Sequence, residues 1–300
     1  MSDYTLADIE AAKAKLNAEM RERWDDASFR REFAADLAES IWLGYSDQSL
    51  VDLVADVSRV TLDAKVYVRE LKGLRAFWTA RGGFIEQSEL SQDEYELVPD
   101  SLGVRVREHE EAIATRIAET AVDLKTQGVK QIDLGVNQRF LKMLQAATPS
   151  NDANDNYTLV AGVTLDSVRD ALMKVADATE GSKISIIGRS TMVHQVMNAV
   201  QDGSFFTPTT NENLIQRGQM GTFNGAQLIT VKNVRGGAQT IPNNELYVVA
   251  EDAAKVAFFG DIKAKERVDD NWYWHWVTRL DVGMLLHHTD RVERIVDSSL

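Results

Sequence analysis

Three hundred residues give room for one large domain or two closely joined ones. The apolar fraction of 44% and charged fraction of 26% are those of an ordinary globular chain, and no apolar run approaches the roughly 20 residues that span a bilayer. Zero cysteines exclude disulfides and thiolate metal sites, and a net charge of −13 argues against wrapping nucleic acid through the whole surface, though not against enclosing it.

The N-terminus is acidic and helix-forming, without the basic start and apolar core of a secretory signal. Residues 5–42 read as helix, because Leu6, Ile9, Ala12, Leu16, Met20 and Trp24 recur three or four apart. Phe29, Phe33, Leu37 and Ile41 continue that spacing, with Asp26 or Ser28 able to cap the second segment. The charged residues between them are either a solvated face or part of an arm laid on a neighbouring subunit.

From Leu62 the period changes to two. Val66, Val68 and Leu71 alternate with Tyr67, Arg69 and Lys72, which predicts a strand. Arg81-Gly82-Gly83 supplies a turn, Glu86–Glu96 a polar acidic return, and Val104-Arg105-Val106-Arg107 the returning strand. So long an excursion is rare in a compact domain unless it is functional. Its Phe77-Trp78 and Phe84-Ile85 pairs would be costly to leave in water. The hairpin therefore either folds back on its own core or reaches another chain.

Ile113, Ile117, Ala121 and Leu124 form the clearest helical stripe, with a stop expected at Gly128. A second helix, Val136–Ala147, ends at Thr148-Pro149, and the polar run Ser150–Asn156 is the best internal boundary. The following segment has an α/β pattern. Val168, Leu172, Val175 and Ala176 define a helix opened by Thr164 or Asp166 and closed by Gly181, and Ile184–Ile187 is a short buried strand. Ser190 can cap a helix carrying Met192, Val193, Val196, Met197 and Val200. Strands are expected at Ala226–Val231, Leu246–Ala250 and Lys255–Phe259.

Asp269–Leu286 is the heaviest aromatic segment. Read as a strand, it places Trp272, Trp274, Trp276, Leu280, Val282 and Met284 on one face, and Tyr273, His275, Arg279 and Asp281 on the other. Such a face needs an equally large apolar partner surface, in its own subunit or a neighbour.

Catalytic signatures do not emerge. Gly218, Gly221 and Gly225 match neither GxGxxG nor GxxxxGK, and a strand follows them, so no helix N-terminus would receive an anion. His287 and His288 are adjacent and would point apart on a strand. Ser190 lacks the GxSxG context of a nucleophile elbow, since position 192 is Met192. No catalytic, metal or cofactor-binding residue is expected, and no cofactor.

The order of these parts resembles the major capsid proteins of tailed double-stranded-DNA bacteriophages. Two stretches carry the likeness locally: Gly218-x-x-Gly221-x-Phe223-x-Gly225-Ala226-x-Leu228-Ile229, and the strand series Asn244–Phe259 with Glu266–Leu286. The resemblance covers about residues 30–297 and implies an α+β chain of the Hong Kong 97-type capsid fold. In that fold residues 1–61 are an N-terminal helical arm and 62–108 an extended β-hairpin, the E-loop. Residues 109–148 carry the spine helix and peripheral domain, 149–260 the axial domain, and 261–300 the closing peripheral strand. The resemblance implies self-assembly into hexamers and pentamers of an icosahedral head that encloses DNA without sequence-specific binding.

Portal, scaffolding and decoration proteins are the other implied partners, with assembly in the host cytoplasm, localisation in the virion and no membrane. A fused scaffolding segment is not expected, the stretch before Trp42 being short. Some relatives join a hairpin lysine to a neighbour's asparagine, for which Lys72 and Asn271 are the pairing to consider. Candidate intersubunit residues are Trp24, Phe29, Phe33, Phe77, Trp78, Phe84, Ile85, Trp272, Trp274 and Trp276. An encapsulin-like nanocompartment shell shares the fold. A soluble α/β enzyme or ligand-binding protein would instead show convergent polar groups in a pocket.

Overall fold

Two sheets and a separate hairpin organise the computed structural model, which describes residues 6–46, 50–72, 91–150, 156–179, 181–202, 222–231 and 241–299. The first sheet has four strands, β1 (Asp56–Val60), β10 (Ala254–Val268), β11 (Tyr273–Leu286) and β4 (Asp100–His109), in that spatial order. The second has six: β5 (Tyr157–Val160), β12 (Val292–Asp297), β9 (Glu245–Ala250), β6 (Ile184–Gly188), β8 (Ala226–Thr230) and β7 (Thr222–Phe223). Among the described residues strands β2 (Tyr67–Lys72) and β3 (Ser91–Glu96) pair only with each other, with Tyr67 opposite Glu96 and Lys72 opposite Ser91.

The hairpin therefore differs from the expected one. Its returning strand is the acidic Ser91–Glu96, whereas Val104–Arg107 lies within β4 and pairs with β11 in the four-stranded sheet. Alternation points to Val104–Arg107, because Ser91–Glu96 has no apolar residue besides Tyr95 and shows no period of two. The division expected between residues 260 and 261 falls inside β10, and the last strand, β12, joins the six-stranded sheet beside β5 and β9. The expected break within β10 is a bulge between Phe259 and Lys263, where Gly260 has φ +71.

Helices α1 (Leu6–Arg23) and α2 (Ala27–Ser46) part at Trp24 to Asp26. Asp26 is the cap: its Oδ1 accepts the Ser28 N–H at 2.8 Å. Its partner surface answers the demand of the aromatic strand. Trp24 and Phe33 lie against Trp274, with ring centroids 6.1 and 6.4 Å away, and Trp274 stacks on Trp276 at 6.4 Å. The Trp276 indole donates to the carbonyl of Ala34 at 3.4 Å. Helix α2 is thus a wall of the subunit's own core rather than a solvated rod.

After α4 (Glu110–Thr115), a single helix α5 (Ile117–Ala147) runs for 31 residues, a length of about 46 Å. No stop occurs at Gly128. Gly128, Ile132, Val136, Phe140 and Leu144 recur every fourth residue and are all buried, so the apolar stripe passes straight through the glycine. A Cβ on Gly128 would meet Ile41 Cδ1 at 2.6 Å, and one on Gly44 of α2 would meet Val129 Cγ2 at 3.0 Å. The two helices approach through reciprocal glycines, a packing gain that offsets the roughly 1 kcal/mol helix-propensity cost of glycine.

Helix α6 (Leu165–Ala178) is opened by Thr164, whose side chain accepts from the Ser167 N–H while Ser167 reciprocates. With α7 (Ser190–Asp202) it packs on the six-stranded sheet around Val168, Ile186, Met192 and Val248. Asn224 and Gly225, at φ 47 and φ 86, make the two-residue turn between β7 and β8. Where α5 ends on this sheet, the buried Glu245 carboxylate accepts from Tyr247, Gln145 and Arg294, and Arg294 also donates to the carbonyl of Thr148 at 3.1 Å. Burial and that carboxylate drive the Tyr247 phenol above its ordinary range.

Candidate functional site

Of the ten aromatic and apolar positions singled out from sequence, five are buried within the subunit. Trp24, Phe29, Phe33, Trp274 and Trp276 belong to one core cluster between α1, α2, α5 and the four-stranded sheet. Phe77, Trp78, Phe84 and Ile85 lie outside the described residues. Trp272 is 68% exposed. It does not share the face of Trp274, because it precedes β11 in the turn from β10 and adopts φ 60. Period two was extended there by one tryptophan too many.

The turn is built around Asp269. Its carboxylate accepts the N–H groups of Asn271 and Tyr273 at 3.0 and 2.9 Å, and its other oxygen lies 2.8 Å from His275 Nε2. The Asp269 N–H donates to the Tyr273 carbonyl at 2.9 Å, and the Trp272 carbonyl accepts the N–H of Glu110 at 2.8 Å. The hydrogen bond to His275 first, then the two backbone donors, hold the Asp269 carboxyl down at about 2. A short side chain so occupied fixes the chain reversal and leaves the indole of the left-handed residue projecting outward.

The base of the β2–β3 hairpin is anchored in its own subunit. Val68 and Leu97 pack on Ala257 and Phe259 of β10. Around that anchor Tyr67, Arg69 and residues 92–96 are exposed, with Tyr67 at 37% and Tyr95 at 45%. Lys72 ends the described part of β2, and Asn271 is exposed in the β10–β11 turn.

Among the described residues no three His, Asp or Glu side chains converge as a metal-binding group. His287 and His288 follow β11 rather than lie on it, and their rings meet at 4.4 Å instead of pointing apart. Ser190 begins α7, with Arg189 between it and the end of β6. What these elements leave exposed is Trp272 and the tyrosines of the β2–β3 hairpin.

Comparison with known proteins gives these surfaces a context. The family described as SPbeta prophage-derived putative capsid protein YonB matches residues 33–283. No curated protein matches the chain. A solved structure of Microbacterium phage Oxtober96 is 15% identical, with a TM-score of 0.63 over 83% of this chain and 91% of that one. The asymmetric unit of the bacteriophage PhiM1 mature capsid is similar at 9% identity and a TM-score of 0.58, covering 84% of this chain and 88% of that one. A virus-like particle from Pyrococcus furiosus is similar at 12% identity and a TM-score of 0.53, covering 87% and 98%. The fold is the Hong Kong 97-type capsid fold expected from the sequence.

Proposed function

Because the chain belongs to the family of the SPbeta prophage-derived putative capsid protein YonB, and is thus the major capsid protein of a tailed phage, we propose that its copies form the hexamers and pentamers of an icosahedral head around double-stranded DNA. The family match across residues 33–283 carries this reading. The hairpin supports it, since β2 and β3 pair with neither larger sheet and present exposed tyrosines beyond their anchor. Trp272 supports it as well: an indole held outward at 68% exposure gains burial only against another molecule.

In this reading the hairpin overlaps an adjacent subunit, and the turn at Trp272 meets a neighbour where several copies converge. Many modest contacts per subunit then sum to a stable shell. The acidic balance of −13 limits adsorption of the packaged polyanion during filling. The chain is not an enzyme, and portal, scaffolding and decoration proteins join the shell in the host cytoplasm.

Electron microscopy of the purified full chain tests this directly, closed shells being expected. Deleting residues 76–89 at the hairpin tip should leave folded subunits that fail to close shells. Normal particles from that deletion would remove the hairpin from the assembly. The similarity to a virus-like particle supports a second reading, a nanocompartment. Shells that purify with a cargo protein in place of DNA would favour it.

A further inference from the structure

Among the described elements the chain passes between its two large sheets three times: from β4 through α4 and α5 to β5, from β9 to β10 through Glu251–Ala253, and from β11 to β12 through residues 287–291. The last two connections lie side by side. His287 and His288 both donate their N–H groups to the Ala253 carbonyl, at 3.1 and 3.3 Å, and Arg291 pairs with Asp252 at 2.5 Å. Asn156, buried just ahead of β5, donates to the carbonyls of Ala147 and Thr289 at 3.2 Å each, and so ties the end of α5 to the same place. Short connections bound along one line are the form a hinge takes.

A second set of contacts grips α5 away from that line. Glu245 begins β9 and Ala250 ends it, so Glu245 stands roughly 16 Å along the strand from the connection. There Gln145 of α5 donates to Glu245 Oε2 at 3.2 Å, Arg294 donates to Oε1 at 2.5 Å, and Tyr247 donates to the same carboxylate. Arg294 reaches on to the Thr148 carbonyl at the end of α5. Phe140 and Leu144 of α5 share one apolar cluster with Tyr247 and Val249 of the sheet, which presses the two together without fixing a direction, because hydrophobic contact is non-directional. Hydrogen bonds weaken steeply when misaligned, so the polar set selects one angle. A slip of about 1 Å at that distance from the hinge is a turn of roughly 4°.

We propose that Glu245 and Arg294 lock the angle between α5 and the six-stranded sheet, and that this angle sets the diameter at which shells close. The proposal rests on the shell reading above and names the residues that select one size. Within the sheet Glu245 is already held by Tyr247 and Arg294, and the bonds that cross to α5 are those to Gln145 and to the Thr148 carbonyl. A buried ion pair contributes little net stability over apolar groups of the same volume, and its best attested use is to specify one arrangement. A closed assembly repeats the angle within each subunit at every copy, so a few degrees per copy decide where closure falls.

Two variants of the full chain test the lock. One combines Glu245→Leu, Tyr247→Phe and Arg294→Met, replacing the polar set by apolar groups of similar size. The other, Arg294→Lys, keeps the charge but lacks the planar fork that serves Glu245 and Thr148 together. Circular dichroism melts check folding, and electron microscopy measures the diameters of purified particles. Wild type should give one diameter. The triple variant should melt within about 5 °C of wild type, yet close into shells whose diameters spread about twofold wider. Arg294→Lys should broaden them in the same direction. Wild-type diameters from both variants, whatever their melting temperatures, would overturn the lock. If the triple variant does not fold, wild-type diameters from Arg294→Lys overturn it alone. Wild-type chains that form no shells would overturn the shell reading itself, and the lock's part in shell size with it.

Discussion

Asn17 caps a helix that begins a hundred residues further along the chain. Its Oδ1 accepts the Ala118 N–H at 2.9 Å, and its Nδ2 donates to Glu119 at 3.0 Å. Helix α5 has no side-chain cap of its own, since Arg116 in that position makes none. A residue of α1 thus satisfies a donor that the longest helix leaves open.

Asn17→Ala should lower unfolding stability by about 1 kcal/mol, the usual worth of an N-cap. The loss should fall on α1 first, so that limited proteolysis cleaves residues 6–23 faster while the sheet core stays protected. Urea denaturation and mass spectrometry of the fragments would check both. Unchanged cleavage of α1 would mean that its other contacts to α4 and α5 suffice.

Gly128→Ala reverses the ordinary sign of that substitution. In an open helix it would stabilise by about 1 kcal/mol. Here the new methyl meets buried Ile41 at 2.6 Å from Cδ1 and 3.2 Å from Cγ1. Overpacking should destabilise by about 1–3 kcal/mol. Adding Ile41→Val removes Cδ1 and should recover part of the loss, a coupling measurable by a double-mutant cycle in urea.

Acid should loosen the β10–β11 turn within a defined window. The Asp269 carboxyl titrates at about 2 in the folded chain, against 3.8 without its partners. A depressed carboxylate contributes stability that is present above the unfolded value and lost as pH falls towards the folded one. Wild-type unfolding free energy should therefore fall between pH 4 and pH 2 more steeply than that of Asp269→Asn. Between pH 5 and pH 8 Asp269 should add no slope. Parallel curves for the two proteins would remove the turn from the acid response.

Trp272→Gly should separate folding from assembly. The native φ of 60 is strained for tryptophan, by roughly 1–2 kcal/mol, and open to glycine, whose unfolded chain entropy returns about 0.5–1 kcal/mol. The isolated subunit should keep its stability or gain slightly, while shell yield drops several-fold. Loss of subunit stability would instead make Trp272 a structural residue, and full shell yield would leave its exposure without a role.

Much of the architecture was legible because it rests on period and punctuation. The helical spacing of Phe29, Phe33, Leu37 and Ile41, the buried run Ile184–Ile187 and the alternation through Trp274, Trp276 and Leu280 each report one face meeting one core. The cap choice between Asp26 and Ser28 was not legible, since either side chain could reach an open N–H. Gly128 read as a stop because glycine ends helices as readily as it lets two of them touch. Only the position of Ile41 distinguishes these uses.

Composition and local periodicity determined a chain of mixed helices and strands, with a heavily aromatic strand near its end and an excursion too long for a simple domain. Tertiary structure decided which faces met. It buried Trp24, Phe33, Trp274 and Trp276 inside the subunit, left Trp272 outside, and returned the hairpin through acidic β3. It also assembled Lys263, Lys265, Arg267, Arg279, Arg105 and Arg107 on one face. Residues distant in sequence become neighbours through strand register, and a one-dimensional pattern carries the period of each strand without its pairing.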